Sequence, residues 1–385
     1  MTIIPLAAPS IGPAEMKYVV ECLESGWVSS VGPFVTELEA KVAEVAGSRY
    51  GVATVNGTAA LHVALMVAGV KAGDEVLVSD LTFIAPVNAV HYIGAHPVLV
   101  DCEGEYRQMD VGLVERFLTE SCEPSADGLR NRQTGRRIAA IAPVHILGHP
   151  VDIVRLMALA DRFGVPVVED ATESLGSTVG EQKVGSFGRL ACFSFNGNKL
   201  MTTGGGGMIV TADCKLADFA RYLTNQAKDD PLEYAHEHIG YNYRLTNIQA
   251  ALGMAQVSRL PEFLAHKKAI AARYDQALAQ IPGILRPNVR AGVDDCRWLY
   301  TISVREDEFG MDSRALLRKL EENGIQSRPL WRPIHLNTPY RNAQRLGGEV
   351  AEACYTESLS IPCSVDLSEA EQSTVINVIK ELSRA

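Results

Sequence analysis

Short apolar runs recur along this chain as far as residue 210, with helical patterns between several of them. They are Val76-Leu77-Val78, Val98-Leu99-Val100, Ile138 to Val144, Val165 to Glu169, Cys192 to Phe195 and Met208 to Val210. Runs so short and so continuously apolar read as strands buried on both faces. Asp152 to Phe163 is one of the helical patterns between them. This alternation implies an α/β fold, with a mostly parallel sheet covered by helices on both sides. In such sheets, ligand-binding groups collect at the carboxyl ends of the strands.

The flanking segments add to this frame. Gly12-Pro13 opens a helix in which Met16, Val19, Val20 and Leu23 share a face, and Gly26 ends it. Phe34, Leu38, Val42 and Val45 make a second stripe, ended by Gly47. Thr58 to Ala68 is nearly all apolar and is expected to be a buried helix. Ser121 to Arg137 is polar and is expected to be an exposed loop. From about Ile248 helical patterns dominate as far as Gln280. A strand at Trp298 to Val304, a helix at Ser313 to Asn323 and a last helix after Leu367 follow. The expectation is a large domain over 1–255 and a smaller α+β domain over 256–385, joined by a long helix near Pro261 to Ala279.

Charge and composition exclude some functions. A net charge of -10 opposes non-specific nucleic-acid binding, which needs a basic face. No apolar run approaches the length of a membrane span. The segment MTIIPLAAPSIGPAEM lacks a basic region followed by an apolar core, so a cytoplasmic location without membrane contact is expected. The eight cysteines form no C-x-x-C pair and read as reduced thiols packed as small hydrophobes, with no metal site.

Several motifs carry chemistry. Phe193-Ser194-Phe195-Asn196-Gly197-Asn198-Lys199 is a strand end and turn, with four glycines from Gly204 to Gly207 just beyond. A lysine desolvated in a cavity is held nearer its neutral form, as an amine nucleophile must be. A surface lysine beside a flexible turn fits the same residues. Val167-Val168-Glu169-Asp170 is an apolar strand ending in acids. Asp170 there can keep a ring nitrogen protonated, which draws electrons from a carbanion; it can equally cap a helix. Asn56-Gly57-Thr58 opens the buried helix, so free amides and the helix dipole suit a phosphate, with Ser194 as a second hydroxyl. A plain N-cap is the alternative. Phe83 follows the strand at Val76 to Ser79 and can lie on an aromatic ring or in the core. Arg328, Trp331, Arg332, His335, Tyr340, Arg341 and Arg345 form a basic and aromatic cluster in an acidic chain, suited to an anion or to a solvated loop.

Taken together, the order and spacing of these motifs resemble the DegT/DnrJ/EryC1/StrS sugar aminotransferases, within the aspartate-aminotransferase-like type I fold. The resemblance runs from Gly26-Trp27-Val28 through Asn56-Gly57-Thr58, Pro143 to Asp152, Glu169-Asp170-Ala171 and Ser194 to Gly207. It closes with Gly240 to Arg244 and Arg328 to His335. The block SFNGNKLMTTGGGGMIVT looks like the subgroup that aminates a UDP-linked 4-keto-6-deoxy sugar on pathways to bacillosamine and legionaminic acid. The resemblance implies pyridoxal 5'-phosphate (PLP), held as a Schiff base by Lys199, with Asp170 on its ring nitrogen. Gly57, Thr58 and Ser194 would hold the phosphate and Phe83 would stack on the ring. Glu173 stands where the family often has Gln facing the ring hydroxyl, and His149 where it more often has Gln or Asn. Asn242 would reach the phosphate in the neighbouring subunit of a homodimer. Trp27, Arg328 and His335 would line the substrate side.

The implied reaction is a ping-pong transfer from glutamate to a nucleotide-linked keto sugar, with Lys199 carrying the proton in both halves. One relative is a PLP-dependent sugar dehydratase, with His in place of the lysine; Lys199 opposes that reading here. A PLP-fold regulator or sensor without turnover would carry a basic arm or an extra domain, and none is visible. A small amino-acid aminotransferase would not need the Trp331 to Tyr340 segment.

Overall fold

The computed structural model describes residues 3–230 and 232–383. Its central sheet has eight strands. Their spatial order is Gln344–Leu346, His96–Val100, Glu75–Ser79, Ile138–Ala142, Val168–Asp170, Leu190–Ser194, Gly207–Thr211 and Tyr50–Thr54. Parallel bridges Ile141 to Val167 and Val144 to Asp170 join the two halves. Gly207–Thr211 runs antiparallel to both of its neighbours, and the remaining pairs are parallel.

Strand alternation explains why both faces are covered. Val76 and Val78 pack with the helices Gly57–Val67 and Ala85–Tyr92, whereas Leu77 packs with Val111–Glu120 and Ile153–Phe163. Cys192 and Ile209 likewise face the first layer. Ala191, Phe193, Met208 and Val210 face Pro33–Val45 and the long helix Asn247–Leu278. The sheet is thus a double-sided core, and its exits carry the loops.

The long helix is continuous across Pro261, and the expected division between 255 and 256 lies within it. Its second half supplies Ile270, Tyr274 and Leu278 to a separate core. That core lies against an antiparallel sheet ordered Ile284–Leu285, Tyr300–Val304, Ser358–Ile361 and Arg328–Pro329, with helices Ser313–Glu322 and Glu369–Leu382. Ile4 joins this core and bridges Ile325, so the N-terminal strap packs with the C-terminal unit.

Two local expectations change. Ser121 to Arg137 is a hairpin, with Cys122–Ser125 paired to Gly128–Asn131. The turn residue Asp127 accepts from the Ser125 hydroxyl at 2.8 Å, and buried Asn131 donates to Glu75 at 2.8 Å. A polar segment can hold a hairpin when its turn and one anchoring residue are satisfied. The helix Pro13–Ser25 forms as expected and ends at Gly26 with φ 74°. Its apolar stripe nevertheless faces outward. Met16 is 63% exposed and Leu23 54%, next to Trp27 at 54% and Val31 at 65%.

Candidate active site

Four strand exits and the start of a fifth strand converge on one cavity, a partly open space of about 700 Å³. Tyr50–Thr54 leads to Asn56, Gly57 and Thr58; Glu75–Ser79 leads to Thr82 and Phe83; Val168–Asp170 ends in Asp170 and leads to Thr172 and Glu173. Leu190–Ser194 ends in Ser194 and leads to Asn196 and Lys199, and Gly206 precedes the antiparallel strand. Gly57, Thr58, Phe83, Asp170, Glu173, Ser194 and Lys199 are therefore brought together in the lining of one cavity.

The floor is a helix start. Asn56 caps Gly57–Val67 by accepting from the Ala59 amide at 2.8 Å. The Gly57 and Thr58 amides precede that bond and have no acceptor among the described residues. A Cβ at Gly57 would lie 2.8 Å from the Ser194 Cβ and 3.3 Å from the Thr172 Cγ2. One at Gly207 would lie 2.6 Å from the Asn56 carbonyl carbon. Both glycines let backbone close in around the cradle, where amides and hydroxyls meet at the positive end of a helix.

Lys199 is set by its neighbours in the chain. Phe195, Leu200 and Met201 are buried on either side, and the Lys199 amide donates to the Asn196 carbonyl at 3.0 Å. Its Nζ stands 3.5 Å from Glu173 Oε1 and 3.9 Å from the centroid of the Trp298 ring. Burial pushes the Glu173 carboxyl up to about 7, with the Lys199 ammonium opposing that rise. The Leu147 amide donates to Glu173 Oε2 at 2.8 Å, from a backbone with φ 62°. Leu147 itself is a non-glycine residue in the left-handed region, held there by this contact.

Asp170 and Glu169 leave the same strand on opposite sides. Asp170 is buried, and burial raises its carboxyl above the usual range, opposed by the Thr172 hydrogen bonds. Glu169 accepts from the amides of Gly185, Phe187 and Gly188 at 3.0, 2.9 and 2.7 Å. His145 Nδ1 accepts from the Val151 amide at 3.2 Å, so we assign its proton to Nε2, which meets Glu169 Oε2 at 3.1 Å. The His145 amide also donates to the Asp170 carbonyl at 3.0 Å. This buried pair fixes the strand behind Asp170.

The other expected residues lie elsewhere. Trp27 lines a shallow outer groove with Asn225 and Arg244, and Asn242 bridges Asn225 beside it. Arg328 is exposed, 3.4 Å from Glu321. His335, expected on the substrate side, does not line the cavity but is buried between Asp80 Oδ2 at 2.5 Å and Glu352 Oε1 at 2.9 Å. Two carboxylates occupy both of its nitrogens, which leaves none for a substrate. His149 meets Asp295 at 3.0 Å and stacks on Tyr106, in a separate crevice. Trp298, Thr172 and the His145–Glu169 pair were missed. Only strand alternation, which separates Glu169 from Asp170, offered a signal for any of them. Among the described residues, no cluster is placed to hold a metal ion, and no helix is long and apolar enough to cross a membrane.

The sequence model of the DegT/DnrJ/EryC1/StrS aminotransferase family matches residues 9–380. The GDP-perosamine synthase of Caulobacter vibrioides is 38% identical over 380 residues, covering 98% of each chain. That of Escherichia coli O157:H7 is 35% identical over 381 residues, covering 99% of each. The solved structure of Spr1654 from Streptococcus pneumoniae, in its PLP form, superposes with a TM-score of 0.88 at 28% identity and 99% coverage of both chains. The enzymes of this family use PLP, and the cavity suits that group. It offers a cradle for a phosphate, a buried carboxylate in need of a cation and an amine within reach.

Proposed function

The chain belongs to the DegT/DnrJ/EryC1/StrS aminotransferase family, and on that premise we propose that it carries an amino group from glutamate to C4 of a nucleotide-linked 4-keto-6-deoxy sugar. The observation that carries this reading is the convergence of Lys199, Asp170, Gly57 and Ser194 on one cavity. When bound there, PLP supplies an aldehyde that takes the amino group and a ring that accepts electrons.

The roles of the residues follow from their places. Lys199 would hold the cofactor covalently through its Nζ and, once freed, would carry the proton between the cofactor carbon and the donor's carbon in one half-reaction and the sugar's carbon in the other. Asp170, ionised by pairing with the ring N–H, keeps that nitrogen protonated. The free amides of Gly57 and Thr58, with the Ser194 hydroxyl, bind the phosphate. Glu173 faces the ring hydroxyl and, when protonated, donates to it. Phe83, 57% exposed at the mouth, covers the ring and excludes water.

The remaining elements come from a second copy. The outward apolar stripe of Met16, Leu23, Trp27 and Val31 is larger than scattered single exposures explain. We assign it to a homodimer interface. Asn242 and Trp27, on that same side, then reach the partner's cavity. Trp27 and exposed Arg328 contact the nucleotide sugar.

The nucleotide divides two readings. The SFNGNKLMTTGGGGMIVT block favours UDP-4-keto-6-deoxy-N-acetylhexosamine. The likeness to GDP-perosamine synthases favours a GDP-linked sugar. An amino-transfer screen of UDP-, GDP- and dTDP-linked 4-keto-6-deoxy sugars with glutamate tests both. Transfer to one of them supports the proposal, and transfer only to a 3-keto sugar or to a keto acid overturns it.

A further inference from the structure

Trp298 holds Lys199 at both ends. Its indole N–H donates to the Asn198 carbonyl at 2.8 Å, at the peptide bond that leads into Lys199. Its ring face lies 3.9 Å from the Lys199 Nζ. The ring in turn has no freedom to drift. It is 3% exposed and stacks on Trp331 at 6.0 Å with an interplanar angle of 11°. Its own carbonyl accepts from the Nζ of buried Lys267 at 2.6 Å, and that same amine binds the Cys363 carbonyl at 2.5 Å. Trp298 stands two residues before the C-terminal unit's strand Tyr300–Val304, so the segment leading into this unit touches the cavity's lysine through this side chain.

The electrostatics give the contact a direction. The face of an indole is its negative side and attracts a cation. On the amine's other flank, Glu173 Oε1 stands at 3.5 Å. An amine in this place has a resting position for its protonated form, within the cavity and out of bulk water. We infer that Trp298 is a positioning residue for Lys199, holding its amine within reach of the reacting carbon whenever it is not covalently engaged. This rests on the reading of Lys199 as the cofactor-bonding and proton-carrying lysine. It adds that a residue of the C-terminal unit, outside the motifs that mark the cavity, sets where that proton is delivered.

Two measurements test it. In the cofactor-free protein with ¹³C-labelled lysine, the Lys199 ε-methylene resonance, assigned through Lys199→Arg, is displaced upfield by the indole ring current. Trp298→Leu removes that displacement and Trp298→Phe keeps part of it. In the holoenzyme, single turnover with glutamate and with α-deuterated glutamate slows about tenfold in Trp298→Leu. The isotope effect rises, because proton transfer becomes the slow step, while cofactor affinity changes less than twofold. Trp298→Phe gives intermediate values, and if the Leu variant does not fold it carries both measurements alone. A wild-type isotope effect together with a methylene resonance that keeps its wild-type position in the variants overturns the inference and leaves the Lys199 reading in place. Persistence of full α-proton exchange in Lys199→Ala overturns the Lys199 reading itself.

Discussion

Glu173 Oε1 lies 3.5 Å from Lys199 Nζ, with both side chains shielded from solvent. The carboxyl is pushed up to about 7 because burial penalises its charge more than the ammonium rewards it. The acid therefore binds its proton more tightly in the folded chain than in the unfolded one. The resulting stability is complete below about 4.5 and is lost as pH rises through about 7. For the cofactor-free protein, we expect the difference in unfolding free energy between wild type and Glu173→Gln to change by about 3 kcal/mol across that window. Denaturant titrations at a series of pH values measure it, and a flat difference contradicts the assignment.

Gly57→Ala tests the cradle. A methyl there meets Ser194 Cβ at 2.8 Å, so strain of about 1–3 kcal/mol is expected. PLP affinity should fall at least about tenfold, since the phosphate needs the same space. Ser194→Gly in the same chain should restore much of the stability and none of the affinity. Simple addition of the two stability losses would show that the clash lies elsewhere.

His335 sits between Asp80 and Glu352, and burial holds the Asp80 carboxyl above its usual range while the imidazole opposes this. Replacing His335 by Ala leaves a buried acid without its partner, at a loss of about 3 kcal/mol. Turnover per folded molecule should stay within about twofold of wild type, as expected for a residue that does not line the cavity. A normal denaturation midpoint with a much higher KM for the sugar would instead return His335 to the substrate side.

Asn242 lies outside its own chain's cavity, on the face that carries the outward apolar stripe. Asn242→Ala and Lys199→Ala should each give inactive dimers. Co-refolded mixtures should regain activity that neither parent shows, because one site in each mixed dimer receives an intact Asn242 and an intact Lys199. Sedimentation of a fully active monomer would remove the cross-subunit role.

Much of the fold could be read from the sequence, and the reason is physical. Val76, Leu77 and Val78 are apolar in succession because a strand buried on both faces has no polar side. The exits of those strands carry the cavity, so Gly57, Asp170, Ser194 and Lys199 stood out as candidates by position, and the family resemblance chose among their readings. Trp298 could not, since its approach to Lys199 depends on how the C-terminal unit docks, which leaves no periodic trace. His335 misled because a histidine among arginines looks like an anion site; of its two partners, Asp80 lies 255 residues away in the chain. The stripe of Met16, Val20 and Leu23 was legible as one helix face, but periodicity does not say whether the same chain or a second copy covers it.

Reduction of the PLP-loaded protein with borohydride, followed by peptide mapping, tests the covalent assignment most directly. The expected result is a single phosphopyridoxyl adduct on the peptide that contains Lys199, absent from Lys199→Ala. An adduct on a different lysine, or a fully loaded enzyme with none, would contradict it.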